Sequence, residues 1–220
     1  MSAAVAGGTP ADGLMSTKIP QDRVEARGYM RWWDRFYGEW RKDTDPKLTR
    51  KELAQLTQRV RLEPGQTAID VGCGRGALAV ELAGLGLQVA GYDWSRVAVN
   101  SARVEHGGRG VVFRRHDFTS GTDPVGVEDG SIDLIVCRLS LQYLDADAFL
   151  ADAARWLRPE TGTLHLVLPV LERQSTATEF NGYPEATIEY LREGWAHSER
   201  WNLDRDRAFT ALALSGPLHD

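Results

Sequence analysis

The sequence predicts an α/β fold: a doubly wound, mostly parallel sheet of seven strands, with an antiparallel hairpin at its C-terminal edge and helices at its N-terminus. Three observations carry that expectation. Short apolar runs alternate with helical patterns between residues 67 and 169, at the spacing of β-α-β crossovers. The last stretch reads as two strands around the polar turn Asp204-Arg205-Asp206. Residues 21–62 show helical periodicity instead.

Residues 1–20 are rich in Ala, Gly, Ser, Thr and Pro without periodicity and are expected to form a disordered tail, leaving residues 21–220 as one domain. Residues 22–40 read as a helix in which Tyr29, Trp33, Phe36, Tyr37 and Trp40 share one broad face. A second helix is expected over 46–60, with Leu48, Leu53, Leu56 and Val60 inward, before the break at Leu62-Glu63-Pro64-Gly65. The core, 66–214, then runs in order. It opens with a strand at 67–71, a small-residue helix at 76–85, a strand at 88–92, a helix at 95–105 capped by Ser95, and a strand at 111–114. After a loop at 119–130 come an apolar strand at 131–137 and a helix capped by Asp145, whose Phe149, Leu150, Ala153, Ala154 and Leu157 recur at helical spacing. A strand at 163–169, a helix at 184–193 ended by Gly194, and hairpin strands at 196–202 and 208–214 complete the series.

Composition narrows the function classes. The chain has 220 residues, 42% hydrophobic and 26% charged, enough for one ordinary domain with a full core. A net charge of −5, with arginines scattered among acids, gives no basic stripe for nucleic acid. Apolar runs fall far short of the ~20 residues that span a membrane, and no charged and apolar leader pattern opens the chain, so the cytoplasm is the expected compartment. Two cysteines, Cys73 and Cys137, make neither a disulfide framework nor a zinc site, and packing roles are expected for both. Monomer and homodimer both remain open.

The chemistry concentrates at the strand ends. In such a sheet ligands bind outside the carboxyl ends of the strands, where strand order reverses. The first strand ends in Asp70-Val71-Gly72-Cys73-Gly74-Arg75-Gly76 and runs into a helix, whose N-terminus offers free N–H groups. Gly72, Gly74 and Ala77 also satisfy the dinucleotide pattern G-x-G-x-x-A, with Asp93 lying 21 positions beyond Gly72. Two features favour another ligand. Asp70, just before the glycines, is a poor neighbour for a pyrophosphate and would attract a cationic group. Asp117 follows the third strand in His116-Asp117-Phe118, and a carboxylate accepts hydrogen bonds, as from an exocyclic amine of adenine. An amino acid end, a ribose and an adenine without phosphate suit three successive acids.

These motifs resemble the class I S-adenosylmethionine-dependent methyltransferases. The resemblance covers roughly residues 29–214 and rests on five motifs in order. They are Ala68-Ile69-Asp70-Val71-Gly72-Cys73-Gly74-Arg75-Gly76, Val89-Ala90-Gly91-Tyr92-Asp93-Trp94-Ser95, Arg115-His116-Asp117-Phe118, the run 131–144 from Ser131 to Leu144, and Leu157-Arg158-Pro159-Glu160-Thr161-Gly162-Thr163-Leu164. In the last, Glu160-Thr161 replaces the tighter glycine turn of many members. The resemblance implies a Rossmann-like sheet and S-adenosylmethionine as cofactor, leaving S-adenosylhomocysteine as product. It implies that Gly72, Cys73 and Gly74 pass close to the methionine portion, with Asp70 holding the loop or the amino group. Asp93 would bind the ribose hydroxyls, Trp94 would flank the adenine, and Asp117 would meet its amine, with Phe118 packed nearby and His116 orienting or shielding the cofactor. The backbone around Cys137-Arg138 would lie beneath the amino acid end, and Tyr37 would close the methionine end from above. The aromatic helix within 21–62 is the natural lid, although such a helix serves equally well as core.

For catalysis, the residues after the fourth strand are the expected substrate contacts: Arg138, Gln142 and Tyr143. Family members often carry His or Glu where Gln142 stands, and a glutamine cannot act as a base near neutral pH. Asp133 reads as structural. His165, inside the fifth strand, reads as a core or inter-strand residue, and His197 and His219 lie far from the site in sequence. The segment 170–183 is short, which favours a small-molecule acceptor, with Phe180, Asn181 and Tyr183 as candidate lining. The Asn/Asp-Pro-Pro-Tyr signature of nucleic-acid amino-methylating enzymes is absent where Cys137-Arg138-Leu139-Ser140 stands. The expected activity is therefore methyl transfer to a metabolite or natural product. Alternatives are methylation of a protein side chain or terminus, and a partner protein that binds the cofactor without catalysis. An NAD-dependent oxidoreductase is the remotest of these, because its phosphates would face Asp70.

Overall fold

The computed structural model describes residues 23–39, 47–174 and 182–218, with the side chains of residues 23–30 left aside. The tail at 1–20, and Trp40, Pro46, Phe180, Asn181 and His219, lie outside the described residues. Two helices open the chain, α1 (Arg23–Glu39) and α2 (Arg50–Arg59). The core alternates β1 (Thr67–Val71), α3 (Ala77–Gly84), β2 (Gln88–Asp93), α4 (Arg96–His106), β3 (Val111–Arg115), β4 (Leu134–Arg138), α5 (Ala146–Trp156) and β5 (Thr163–Pro169). It ends with α6 (Glu185–Tyr190), β6 (Trp195–Asn202) and β7 (Phe209–Pro217).

The local causes are legible. Ser95 caps α4 by accepting from the Ala98 N–H, and Asp145 caps α5 through Ala148, as the sequence predicts. Thr49 accepts from the Glu52 N–H, which starts α2 four residues later than the expected 46–60 helix. β4 begins at Leu134, not Ser131, because the Asp133 carboxylate accepts from the Thr67 N–H at 2.9 Å and from Arg158 Nε at 2.8 Å, tying the strand's entry to its neighbours.

The seven strands lie in the order β3-β2-β1-β4-β5-β7-β6. The pairs among β1 to β5 are parallel, and β7 is antiparallel to both β5 and β6. The hairpin therefore sits at the expected edge, but its reversed strand, β7, lies one place in, and the outermost strand β6 runs with β1–β5. Successive strand residues face opposite sides. Ile69, Val71, Ile135, Leu164, Leu166 and Leu168 pack with Phe149, Ala153 and Trp156 of α5 and Ile188 of α6. Ala68, Val89, Leu134 and Val136 face the other way, against Leu56 of α2, Leu78, Ala79 and Leu82 of α3, and Val99 and Ala102 of α4. His165 faces away from α5 as well. It is buried, its Nδ1 lies 3.1 Å from the Leu212 carbonyl, and its ring stacks on Trp201 at 5.5 Å. Strand order reverses between β1 and β4, so the crevice above that junction is where this topology places a ligand. Among the described residues no helix is long and apolar enough to cross a membrane.

Candidate functional site

A cavity of about 180 Å³ lies above the carboxyl ends of β1, β2 and β4, roofed by α1. Its floor is the β1–α3 loop, where Gly72, Gly74 and Gly76 all have positive φ. Only glycine adopts that conformation without strain, and space forbids a side chain as well. A Cβ on Gly72 would lie 2.2 Å from Ser140 Oγ, and one on Gly74 would lie 2.9 Å from Tyr37 Oη.

The carboxylates behave differently from one another. Asp93, at the end of β2, accepts from the Gly74 N–H at 2.9 Å through Oδ2 and from the Ser95 N–H at 2.7 Å through Oδ1. It thus fastens the glycine loop while lining the cavity. Burial pushes its carboxyl up to about 6, against those two N–H donors. Asp70 is buried too, and its Oδ2 has no hydrogen-bond partner among the described residues. Burial raises its carboxyl to about 7, with Arg138 pulling it down. A buried carboxylate left open toward a cavity favours a cationic group, which would supply the missing hydrogen bonds and restore its charge.

Around these acids the lining is aromatic: Trp33, Phe36 and Tyr37 from α1, Trp94 after β2, Phe118 after β3, and Tyr143 after β4. Trp33 meets Tyr143 edge to face at 4.9 Å and stacks on Tyr37 at 5.7 Å, joining the roof to the β4 side. The roof is fastened at two places. Asp34 Oδ1 accepts from Ser95 Oγ at 2.6 Å and the Val97 N–H at 3.3 Å, at the N-terminus of α4. Arg75 donates to the Tyr37 carbonyl at 2.9 Å.

Of the residues expected at this site, Tyr37, Asp70, Gly72, Cys73, Gly74, Asp93, Trp94, His116, Phe118, Arg138 and Tyr143 line the cavity. Three do not. Cys137 is fully buried beneath the floor within β4. Asp117 turns back on its own loop, where Oδ1 accepts from the Thr119 N–H at 2.9 Å and from Thr119 Oγ1 at 2.7 Å. Gln142 sits in a single 3₁₀ turn, Leu141–Tyr143, and its amide donates to the Leu139 carbonyl at 2.9 Å. That carbonyl belongs to a residue at φ +56, so Gln142 braces a strained bend and does not reach the cavity.

Arg138 lines the cavity but is paired. Its Nε and second terminal nitrogen donate to Glu52 of α2 at 2.6 and 3.1 Å, a bidentate bond with side chains only 16% and 10% exposed. Sequence reasoning missed Glu52, Asp34 and Ser140. Glu52 meets its partner 86 positions away, Asp34 reaches across 61, and no local pattern marks either. The diversion of Asp117 did have a signal, the Asp-x-Thr spacing of an Asx turn.

A family model described as a methyltransferase domain matches residues 69–164, which hold β1 through the start of β5. Over that span the chain is similar to S-adenosylmethionine-dependent methyltransferases. Among curated relatives, the ubiquinone biosynthesis O-methyltransferase of Thiobacillus denitrificans is 33% identical over 43% of this chain and 41% of its own length. The nocamycin O-methyltransferase of Saccharothrix syringae is 34% identical over 58% of this chain and 46% of its own length. The chain thus spans about half the length of such relatives or less. Two solved structures share its fold. Phosphoethanolamine N-methyltransferase 1 of Haemonchus contortus, in complex with phosphoethanolamine and S-adenosylhomocysteine, superimposes with a TM-score of 0.69 at 16% identity, over 88% of this chain and 49% of that one. A TehB-like S-adenosylmethionine-dependent methyltransferase from Corynebacterium glutamicum gives 0.56 at 17% identity, over 89% and 100%.

The residues present fit the cofactor of that class. The unpartnered Asp70 oxygen suits an ammonium group, the glycine floor admits close backbone approach, and Trp94 Nε1 and His116 Nε2 are buried without partners among the described residues.

Proposed function

We propose that this protein transfers a methyl group from S-adenosylmethionine to a small-molecule acceptor. The observation that carries the reading is the buried, unpartnered Asp70 carboxylate on a glycine floor beneath an aromatic roof. When bound, S-adenosylmethionine supplies a methyl group already activated for displacement by its sulfonium. Asp70, Gly72 and Gly74 would hold its amino acid end, and Asp93 and Trp94 its nucleoside end. Trp33, Phe36 and Tyr37 exclude water, and holding two reactants in line contributes as much as ~7–11 kcal/mol.

The acceptor side is apolar. Arg138 is committed to Glu52, and Gln142 to the Leu139 carbonyl, so Tyr143 is the remaining expected contact that reaches the cavity. An acceptor that binds here would meet Tyr143, Leu48, Leu139 and Leu144, and the two arginines of the described lining, Arg75 and Arg138, are both held by protein partners. The curated relatives named above are O-methyltransferases, which favours a hydroxylated small molecule. Incubation with isotopically labelled S-adenosylmethionine and a pool of hydroxylated metabolites is expected to give a labelled small product. Cofactor binding by calorimetry without any labelled product would point to a binding module, and label in protein would point to a polypeptide acceptor.

A further inference from the structure

Arg138 ends β4 and lines the cavity beside Leu139, Ser140, Tyr143 and Leu144, the stretch assigned above to the acceptor. Glu52 is not among the lining residues. It sits in the first turn of α2, 8% exposed, where Thr49 accepts from its N–H at 3.0 Å and fixes the start of the helix. Local sequence thus places the Glu52 backbone, and its carboxylate is spent on a partner 86 positions away.

That pairing decides what charge the wall presents. Both Glu52 oxygens are taken by Arg138, Oε1 by Nε at 2.6 Å and Oε2 by Nη2 at 3.1 Å. Nη2 also donates to the Lys47 carbonyl at 3.3 Å, next to Leu48 of the lining. The arginine's charge is felt inside the cavity, where it pulls the Asp70 carboxyl down against the effect of burial. Glu52 balances that charge at hydrogen-bonding distance. The other lining arginine, Arg75, is held by Glu105 at 3.4 Å and by the Tyr37 carbonyl at 2.9 Å. With an acid matched to each arginine, the charges left over on the described lining are those of Asp70 and Asp93. A buried ion pair is a weak source of stability, because apolar residues of similar volume pack as well. What this pair adds is the placement of charge.

We propose that Glu52 sets the charge selectivity of methyl transfer: by neutralising Arg138 it turns anionic acceptors away, so that the acceptor is an uncharged molecule. The proposal rests on the reading that the cavity binds S-adenosylmethionine and a small hydroxylated acceptor. A carboxylate brought to this wall meets a guanidinium already matched by Glu52, and faces the acids Asp70 and Asp93. A full charge acting over about 10 Å near a protein surface is worth roughly tenfold in affinity.

The test uses two probe pools in separate reactions with labelled S-adenosylmethionine. One holds hydroxylated aromatic and aliphatic carboxylic acids, and the other holds the primary amides of the same acids, matched in size but uncharged. Wild type is expected to label the amides about tenfold faster or more. Glu52→Gln leaves the Arg138 charge unbalanced and should bring the two pools within about twofold. Glu52→Leu with Arg138→Met removes both charges and should keep the wild-type preference. General damage to the fold would slow both pools alike and leave their ratio unchanged. Wild type that labels the acids as fast as the amides overturns the proposal, and so does a Glu52→Gln ratio equal to that of wild type. Should Glu52→Gln fail to fold, the double variant decides, since loss of the preference there refutes charge cancellation. Calorimetric binding of S-adenosylhomocysteine with no label from either pool fails the methyl-transfer reading, and absence of that binding fails the cofactor reading; either result takes this proposal with it.

Discussion

Gly72 and Ser140 make a test in which the packing of the site is read as a coupling energy. Gly72 has a φ of +68, and a Cβ there would lie 2.2 Å from Ser140 Oγ and 2.5 Å from Ser140 Cβ, far inside van der Waals contact. Gly72→Ala therefore carries two costs. The left-handed backbone costs a non-glycine residue about 1–2 kcal/mol, and the overlap forces β4's following turn away at about 1–3 kcal/mol. Ser140→Gly removes both overlapping atoms and leaves only Ser140 Cα, 4.0 Å away. Alone it loses the hydroxyl's bonds to the Arg138 carbonyl at 3.1 Å and the Gly72 carbonyl at 3.4 Å, roughly 1 kcal/mol. The double variant keeps the backbone cost and sheds the clash. Its destabilisation should fall short of the sum of the singles by about 1–3 kcal/mol. Urea unfolding of the four proteins measures this directly. Additive singles would mean that the glycine is required by its backbone angle alone, and the steric argument would be wrong.

Other outcomes follow from the same contacts. Asp34→Ala removes the acceptor that ties α1 to Ser95 and Val97, and S-adenosylhomocysteine should leave about tenfold faster in stopped-flow with the melting temperature little changed; an unaltered off-rate would show that α1 does not gate the cavity. Glu52→Gln removes the charge that balances the Arg138 guanidinium and should cost about 3 kcal/mol in urea unfolding, whereas Glu52→Leu with Arg138→Met should recover most of that; equal losses would refute the ion-pair account. Asp70 titrates near 7 in the fold against an ordinary value near 4, so the folded chain holds a proton that the unfolded chain has released between those limits. Its contribution to stability is fully present below about pH 4 and is lost as pH rises toward 7. Asp70→Asn should flatten that part of the stability–pH curve, raise stability at pH 8 by a few kcal/mol and weaken cofactor binding; a variant curve parallel to wild type would contradict the buried carboxyl. His165, held down to about 4 by burial, acts with the opposite sign, and its contribution is lost as pH falls from about 6.5. His165→Gln should remove that acid-side slope.

The sequence by itself determined the α/β alternation, the caps of α4 and α5, and the glycine loop with the acids that flank it. Each is written locally. Caps act across three residues, strand faces alternate with period two, and the glycines at 72, 74 and 76 stand next to the strand they terminate. Only the tertiary structure decided what those residues face. Arg138 stands in the expected place after β4, yet Glu52 from a helix 86 positions earlier takes up its charge. Gln142 and Asp117 stand in the expected motifs, yet the Leu139 carbonyl and Thr119 occupy their polar ends. Asp70 reads in sequence as one acid among three, and becomes distinct because the fold buries it while giving its Oδ2 no partner. Short-range pattern fixes where a side chain starts. Which partner satisfies it depends on elements brought together by burial, because hydrogen bonds and ion pairs gain most where water is excluded, and that exclusion exists only once α1, α2 and the sheet have closed over the cavity.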